Sequence, residues 1–202
     1  MKSFNRNTMV ILSALIMSGC SLLSPVANKT PSKFMVDKVP ANIPVKRPHA
    51  ATILVAIPET RSIYNTTQIA YTRKPYQIEY LSQNEWAETP VQMLQPALVQ
   101  TLQNTHYFHA VITPPSLDHY EYTLNTQIVA YQEDFTYRMP LFIMTVRAQL
   151  SRTSVNQVVA TKEFTVEEPI PQGTPYGAVL AANHANEKIL AEIARFCLEK
   201  LR

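Results

Sequence analysis

The sequence predicts an α/β domain, with a mixed and largely antiparallel sheet and a long C-terminal helix. Three stretches carry that prediction. Thr52 to Ile57 is apolar at almost every position, the mark of a strand covered on both faces. Between Tyr120 and Val166 three longer runs alternate apolar and polar side chains, as half-buried strands of an antiparallel meander do. After Thr174, the residues Val179, Leu180, Ile189, Ile193, Phe196 and Cys197 fall on one helical stripe.

The chain opens with the basic Lys2 and Arg6, an apolar run from Met9 to Met17, and then Met17-Ser18-Gly19-Cys20. This is the layout of a secretory signal peptide. The apolar run is too short to span a bilayer, which takes about 20 residues. A cysteine straight after Ser-Gly resembles the lipobox of a bacterial lipoprotein signal, with Met17 where leucine is commoner. The resemblance implies cleavage before Cys20 and covalent lipid, palmitate among its chains, on that cysteine. Ser21 follows, and in lipoproteins of this kind a residue other than aspartate there permits export to the outer membrane. An ordinary cleaved signal with a coincidental cysteine is the alternative. The expected division is a signal over 1–19, a lipidated cysteine and tether over 20–51, and one domain over 52–202.

The tether reading rests on Pro25, Pro31, Pro40, Pro44 and Pro48 with Lys29, Lys33, Lys38, Lys46 and Arg47 between them. Such composition favours extended chain, and thirty-odd residues reach up to about 90 Å. The lysines are either solvated or drawn to anionic headgroups.

Within the domain, the strand from Thr52 ends at Pro58. A second strand is expected over Thr67 to Thr72. Arg73-Lys74-Pro75 turns the chain, and Tyr76 to Leu81 returns as a third strand. Thr89-Pro90-Val91-Gln92 has the form of a capping box with proline at the first helical position. Leu94, Leu98 and Leu102 then give one apolar stripe, and Pro96 is expected to kink or restart that helix. His106 to Ile112 reads as a strand. In the meander, Tyr120, Tyr122, Leu124, Ile128 and Ala130 share one face, while Glu121, Thr123, Asn125 and Gln127 share the other. Phe142 to Leu150 and Val158 to Val166 alternate in the same way, with Gln132 to Pro140 and Ser151 to Asn156 as links. Thr174 and Pro175 start the last helix, and Lys200 and Arg202 complement its negative end.

Composition narrows the function. Net charge is +3, two of the bases belong to the signal, and no basic face of a nucleic-acid binder is present. Three glycines, one of them in the signal, cannot build a phosphate-cradling loop. With Cys20 lipidated, Cys197 has no intrachain partner and reads as a buried structural thiol. No His-Glu-x-x-His or Gly-x-Ser-x-Gly motif occurs. His106 and His109 would face opposite sides of a strand and could not share a metal. Glu133-Asp134 and Glu167-Glu168 read as solvated charges. No catalytic residue, metal or dissociable cofactor is therefore expected.

Aromatic residues give the better lead. Tyr71, Tyr76, Tyr80 and Trp86 cluster around the second and third strands, and Phe135 and Tyr137 sit with Met139 on the Gln132–Pro140 loop. They are either core side chains with polar tips or anchors for a partner. The loop residues can equally dock a protein, dip into lipid or fold back onto the sheet.

The stretches Ile53-Leu54-Val55-Ala56-Ile57-Pro58 and Ile69 to Tyr80, then Trp86, Pro90, the leucine helix and Phe108 to Val111, taken in that order behind a lipobox, resemble the ABC-type transport auxiliary lipoproteins of the PqiC type. The resemblance spans most of residues 52–202. It implies a three-layer α/β fold, no enzymatic activity, and a place at the outer membrane facing the periplasm. It also implies a partner, an MCE-domain protein of an intermembrane lipid transporter. The alternative is a carrier that itself encloses phospholipid in a Tyr-, Phe- and Met-rich pocket.

Overall fold

The structure, a computed structural model, describes residues 30–43 and 47–201. The signal, Cys20 and Arg202 lie outside them. Nine strands form one mixed sheet: β1 Ser32–Phe34, β2 His49–Val55, β3 Glu59–Thr60, β4 Gln68–Thr72, β5 Glu79–Trp86, β6 Phe108–Ile112, β7 Tyr122–Asp134, β8 Leu141–Arg152 and β9 Gln157–Pro169. Two α-helices accompany it among the described residues, α1 Pro90–Asn104 and α2 Pro175–Lys200.

The axis of the sheet is β7. Along one side it pairs antiparallel with β8, which pairs antiparallel with β9. Along the other side it is flanked in turn by β2, β3 and β4, all parallel to it. β2 carries β6 outward, while β4 carries β5 and then β1. The sheet therefore forks, with β2 and β6 at one end of β7 and β4, β5 and β1 at the other.

The expected helix starts are present. Thr89 Oγ1 accepts from the Gln92 N–H, and the Gln92 side chain accepts in return from the Thr89 N–H at 3.0 Å. α1 runs through Pro96 without restarting: the cap and the buried Leu94, Leu98 and Leu102 outweigh the one missing backbone donor. In α2, Thr174 Oγ1 accepts from the Gly177 N–H at 3.0 Å. Val179, Ile189, Ile193, Phe196 and Cys197 are buried as expected, but Leu180 is partly exposed and off the stripe. Burial pushes the Cys197 thiol up to about 12, where it is inert. One continuous core joins β2, β7 and β8 to the inner faces of both helices.

Two expectations need correcting. Much of the segment read as tether is part of the domain. β1 pairs with β5, and Val36 is buried, its N–H directed at Met93 Sδ. The Asp37 and Lys38 N–H groups donate to Asn183 Oδ1, and Asn186 Nδ2 donates to the Lys38 carbonyl. Lys38 also pairs with Glu187 at 2.7 Å. Asparagine side chains of α2 thus satisfy the backbone that prolines keep out of a regular ladder. His49 to Ala51 likewise belong to β2.

The second correction concerns β7. Its register shifts between Ile128 and Ala130. Up to Ile128 the even residues face the core; beyond the bulge the odd ones do. Tyr131 and Glu133 are buried in consequence, and Ala130 leaves the face it was assigned.

Candidate functional site

β4 and β7 end side by side, with Thr72 beside Asp134 and the Phe135 N–H bonded to the Thr72 carbonyl at 2.9 Å. The β4–β5 turn and the β7–β8 loop therefore leave the sheet together. Five of the six aromatic candidates gather here, but in different roles. Trp86 is a core residue, 1% exposed, with edge contacts to Tyr131 and Phe142. Its apolar bulk has no surface to offer a partner. Tyr71 is also buried: its hydroxyl donates to Glu79 Oε2 at 2.5 Å, Phe135 meets its ring edge-on, and Arg73 lies over it. The Glu79 carboxylate holds the Tyr71 phenol above its usual pKa. Tyr76 and Tyr137 are exposed, Tyr76 fully and Tyr137 at 50%. Tyr80 lies at the margin and donates to the Ile63 carbonyl.

Beside the turn lies an open groove of about 570 Å³, bordered by Arg61, Tyr64, Tyr76, Ile78, Gln132 and Asp134. Tyr64 forms part of its floor and donates to Gln132 Oε1 at 2.5 Å. Gln132 and Asp134 lie on the sheet face turned away from Tyr131 and the core. Asp134 Oδ1 accepts from the Thr136 N–H and hydroxyl. Among the described residues Arg61 is in no ion pair, and its charge acts on the Tyr64 hydroxyl beside it. Nothing in the sequence spacing marked Arg61, Tyr64 or Gln132, because the bulge that places Gln132 leaves no periodic signal.

Tyr76 also has a positive φ, as do His106, Asn156 and Gln172 among the described residues. The Tyr76 φ of +67° lies in the left-handed region, disfavoured for a bulky side chain by about 1–2 kcal/mol. The strain holds an aromatic ring in water at the groove rim, with no burial to offset it. Strained residues of this kind collect at functional positions.

Both acidic pairs read as solvated are half buried. Glu168 is buried and joined to Lys188 of α2. Glu133 is 3% exposed, its Oε1 has no hydrogen-bond partner among the described residues, and burial pushes its pKa up to about 7. Glu168, Phe142, Glu133, Tyr71 and Glu79 pair successively in one row across the sheet. His106 sits in a turn with left-handed φ rather than on β6, so it and His109 do not share a strand. Among the described residues no three His, Cys, Asp or Glu side chains converge as a metal site would require.

The family model described as "ABC-type transport auxiliary lipoprotein component" matches residues 36–194. No curated protein matches the chain. Among solved structures, a Xanthomonas campestris protein assigned to the family model DUF330 is 21% identical with a TM-score of 0.74, covering 85% of this chain and 96% of that one. A second, titled only as an uncharacterized protein, is 16% identical with a TM-score of 0.67, covering 84% and 99% respectively. These likenesses are of fold.

Proposed function

Because the chain belongs to the family of ABC-type transport auxiliary lipoprotein components, we propose that it is a non-enzymatic accessory subunit of an intermembrane lipid transporter. In this reading lipid on Cys20 holds it at the outer membrane, facing the periplasm, and the domain binds an MCE-domain protein of the transporter. No helix among the described residues is long and apolar enough to cross a membrane. In this reading attachment falls to the lipid on Cys20, and two or more acyl chains make it stable. The tether is shorter than its proline content suggested, since β1 begins only twelve residues after Cys20. That confines the domain near its membrane and raises its effective concentration there.

The observation that carries the partner reading is Tyr76, an unburied aromatic ring held at the rim of a groove by strained backbone. Tyrosine is a favoured anchor at protein interfaces, and Arg61 supplies an unpaired cation beside it. The lipid-carrier alternative has less support. Of the Tyr, Phe and Met side chains on the strand faces, Tyr131, Phe142 and Met144 are close-packed in the core.

Tyr76→Gly separates the two contributions of this residue. Relief of the left-handed strain raises stability by about 1 kcal/mol, or roughly 2–4 °C in melting temperature. Loss of the ring lowers capture of the MCE-domain partner, measured by co-purification from detergent extract, by about tenfold or more. Undiminished capture by the variant would remove Tyr76 from the interface. Failure of the wild-type lipoprotein to bring down any MCE-domain protein would remove the transporter role.

A further inference from the structure

We propose that the same end of the sheet, on the side of Tyr137 and Tyr176, docks onto an anionic bilayer, a membrane contact additional to the lipid on Cys20. The proposal rests on the lipoprotein reading of that cysteine. Three segments meet here. The β4–β5 turn and the β7–β8 loop leave side by side, and the Ile170 N–H donates to the Pro140 carbonyl, which sets the turn before α2 beside them. Their exposed apolar side chains, besides Tyr76 at the groove rim, are Tyr137, Met139 at 58% and Tyr176 at 62%.

The charges of these segments have one sign. Residues 73–78, 135–140 and 170–176 contain Arg73, Lys74 and Arg138 and no acid. All three cations are exposed and among the described residues none is in an ion pair, while Arg73 lies over the Tyr71 ring and donates to its hydroxyl at 3.3 Å. The flanking carboxylates lie on the strand ends outside these segments, and those that accept from neutral donors keep their charge. Glu79 accepts from Tyr71, Asp134 from Thr136, Glu168 pairs with Lys188, Glu133 is buried, and Glu167 lies on the opposite face of β9 from Glu168. At the other end of the sheet the exposed Leu117 and Val155 stand among Asp118, Glu121 and Arg152, of mixed sign. Tyrosine and methionine beside Lys and Arg suit the headgroup layer, where the ring sits at the interface and each cation adds about 1 kcal/mol on an anionic surface.

Chain direction agrees. β1 is parallel to β5, and β5 starts at Glu79 beside this end and runs away from it. Ser32 pairs with Asn84, so it lies about 17 Å from the level of Glu79. The twelve residues from Cys20 to Ser32 span at most about 40 Å, enough to let this end reach the anchoring membrane. The groove at Arg61 and Gln132 opens on the sheet face away from the core, and Tyr76 and Thr136 are on the wall it shares with these segments.

The test uses the full-length lipoprotein carrying an environment-sensitive dye on Tyr137→Cys, with Val155→Cys as control; Cys197 is buried and does not compete for the dye. It is reconstituted into phosphatidylcholine vesicles with and without one-quarter phosphatidylglycerol. The dye at 137 is expected to shift to the blue and to be quenched by shallow nitroxide lipids on the anionic vesicles at low salt, while the dye at 155 stays in water. Replacing Lys74 and Arg138 together by glutamine is expected to lower the docked-to-undocked ratio roughly twenty-five-fold, about fivefold per charge, at unchanged melting temperature. If the protein floats with the vesicles but residue 137 stays as wet as 155, or inserts equally without phosphatidylglycerol, the docking is wrong and the anchor stands. If the protein does not float, the anchor reading falls and the docking with it.

Discussion

The difference in stability between Glu133→Gln and the wild type shifts by about 3 kcal/mol in the variant's favour between pH 4.5 and pH 8. Glu133 is nearly fully buried, one oxygen lacks a hydrogen bond, and its pKa rises from the ordinary carboxylate range to about 7. The native state therefore holds a proton that the unfolded chain releases near pH 4.5. Between those values the folded form binds more protons, so stability falls as pH rises. The contribution is fully present below about 4.5 and gone above about 7, and a pKa unit is worth about 1.4 kcal/mol. Glutamine has nearly the same shape and no charge, which removes the slope. The charged groups nearest in the row, Glu168 with Lys188 and Glu79 with Tyr71 and Arg73, are the same in both proteins and cancel in the comparison. Urea unfolding of the two proteins across this range is the measurement; parallel pH profiles would mean that Glu133 is ionised in the folded protein.

Gly177→Ala is expected to destabilise the domain by about 3 kcal/mol, against the usual gain of about 1 kcal/mol from replacing a helical glycine by alanine. A Cβ at this position would lie 2.0 Å from the Pro171 carbonyl oxygen and 3.1 Å from Thr174 Oγ1. The first is backbone and the second caps the helix, so neither can yield cheaply. Moving Pro171 shifts the turn that buries Ile170 and, through the Ile170–Pro140 hydrogen bond, the loop beside it. Gly173, four residues before, is a useful contrast. It has φ +57° and open space around its Cβ position, so Gly173→Asn meets backbone strain alone and is expected to cost about 1 kcal/mol or less. Melting temperatures of the two variants decide the matter, with a drop of about 6–12 °C for Gly177→Ala.

Regular elements were legible because their signals are local. The capping box at Thr89, the proline and threonine before α2, and the alternation in β8 each depend on a few neighbouring residues. What escaped the sequence depends on distant partners. Residues 31–43 look like linker because their backbone is satisfied by Asn183 and Asn186, more than 140 positions away. The β7 bulge inserts one residue without a change of composition, yet it reverses the facing of everything after Ile128. That single shift turned Glu133 from a presumed surface charge into a buried acid and put Gln132 in the groove. Among the aromatic candidates, position in the turn separated Tyr76 from Trp86 only once β5 was seen to extend to Trp86 and bring it under the core.

The account's central claim is that the groove rimmed by Tyr76 meets a transporter protein at the membrane. In-cell photocrosslinking tests it most directly, with a benzophenone amino acid in place of Tyr76 in one strain and of Val159, exposed on β9, in another. The account predicts an adduct with an MCE-domain protein from position 76 and none from position 159. No adduct from 76, or equal adducts from both, would contradict it.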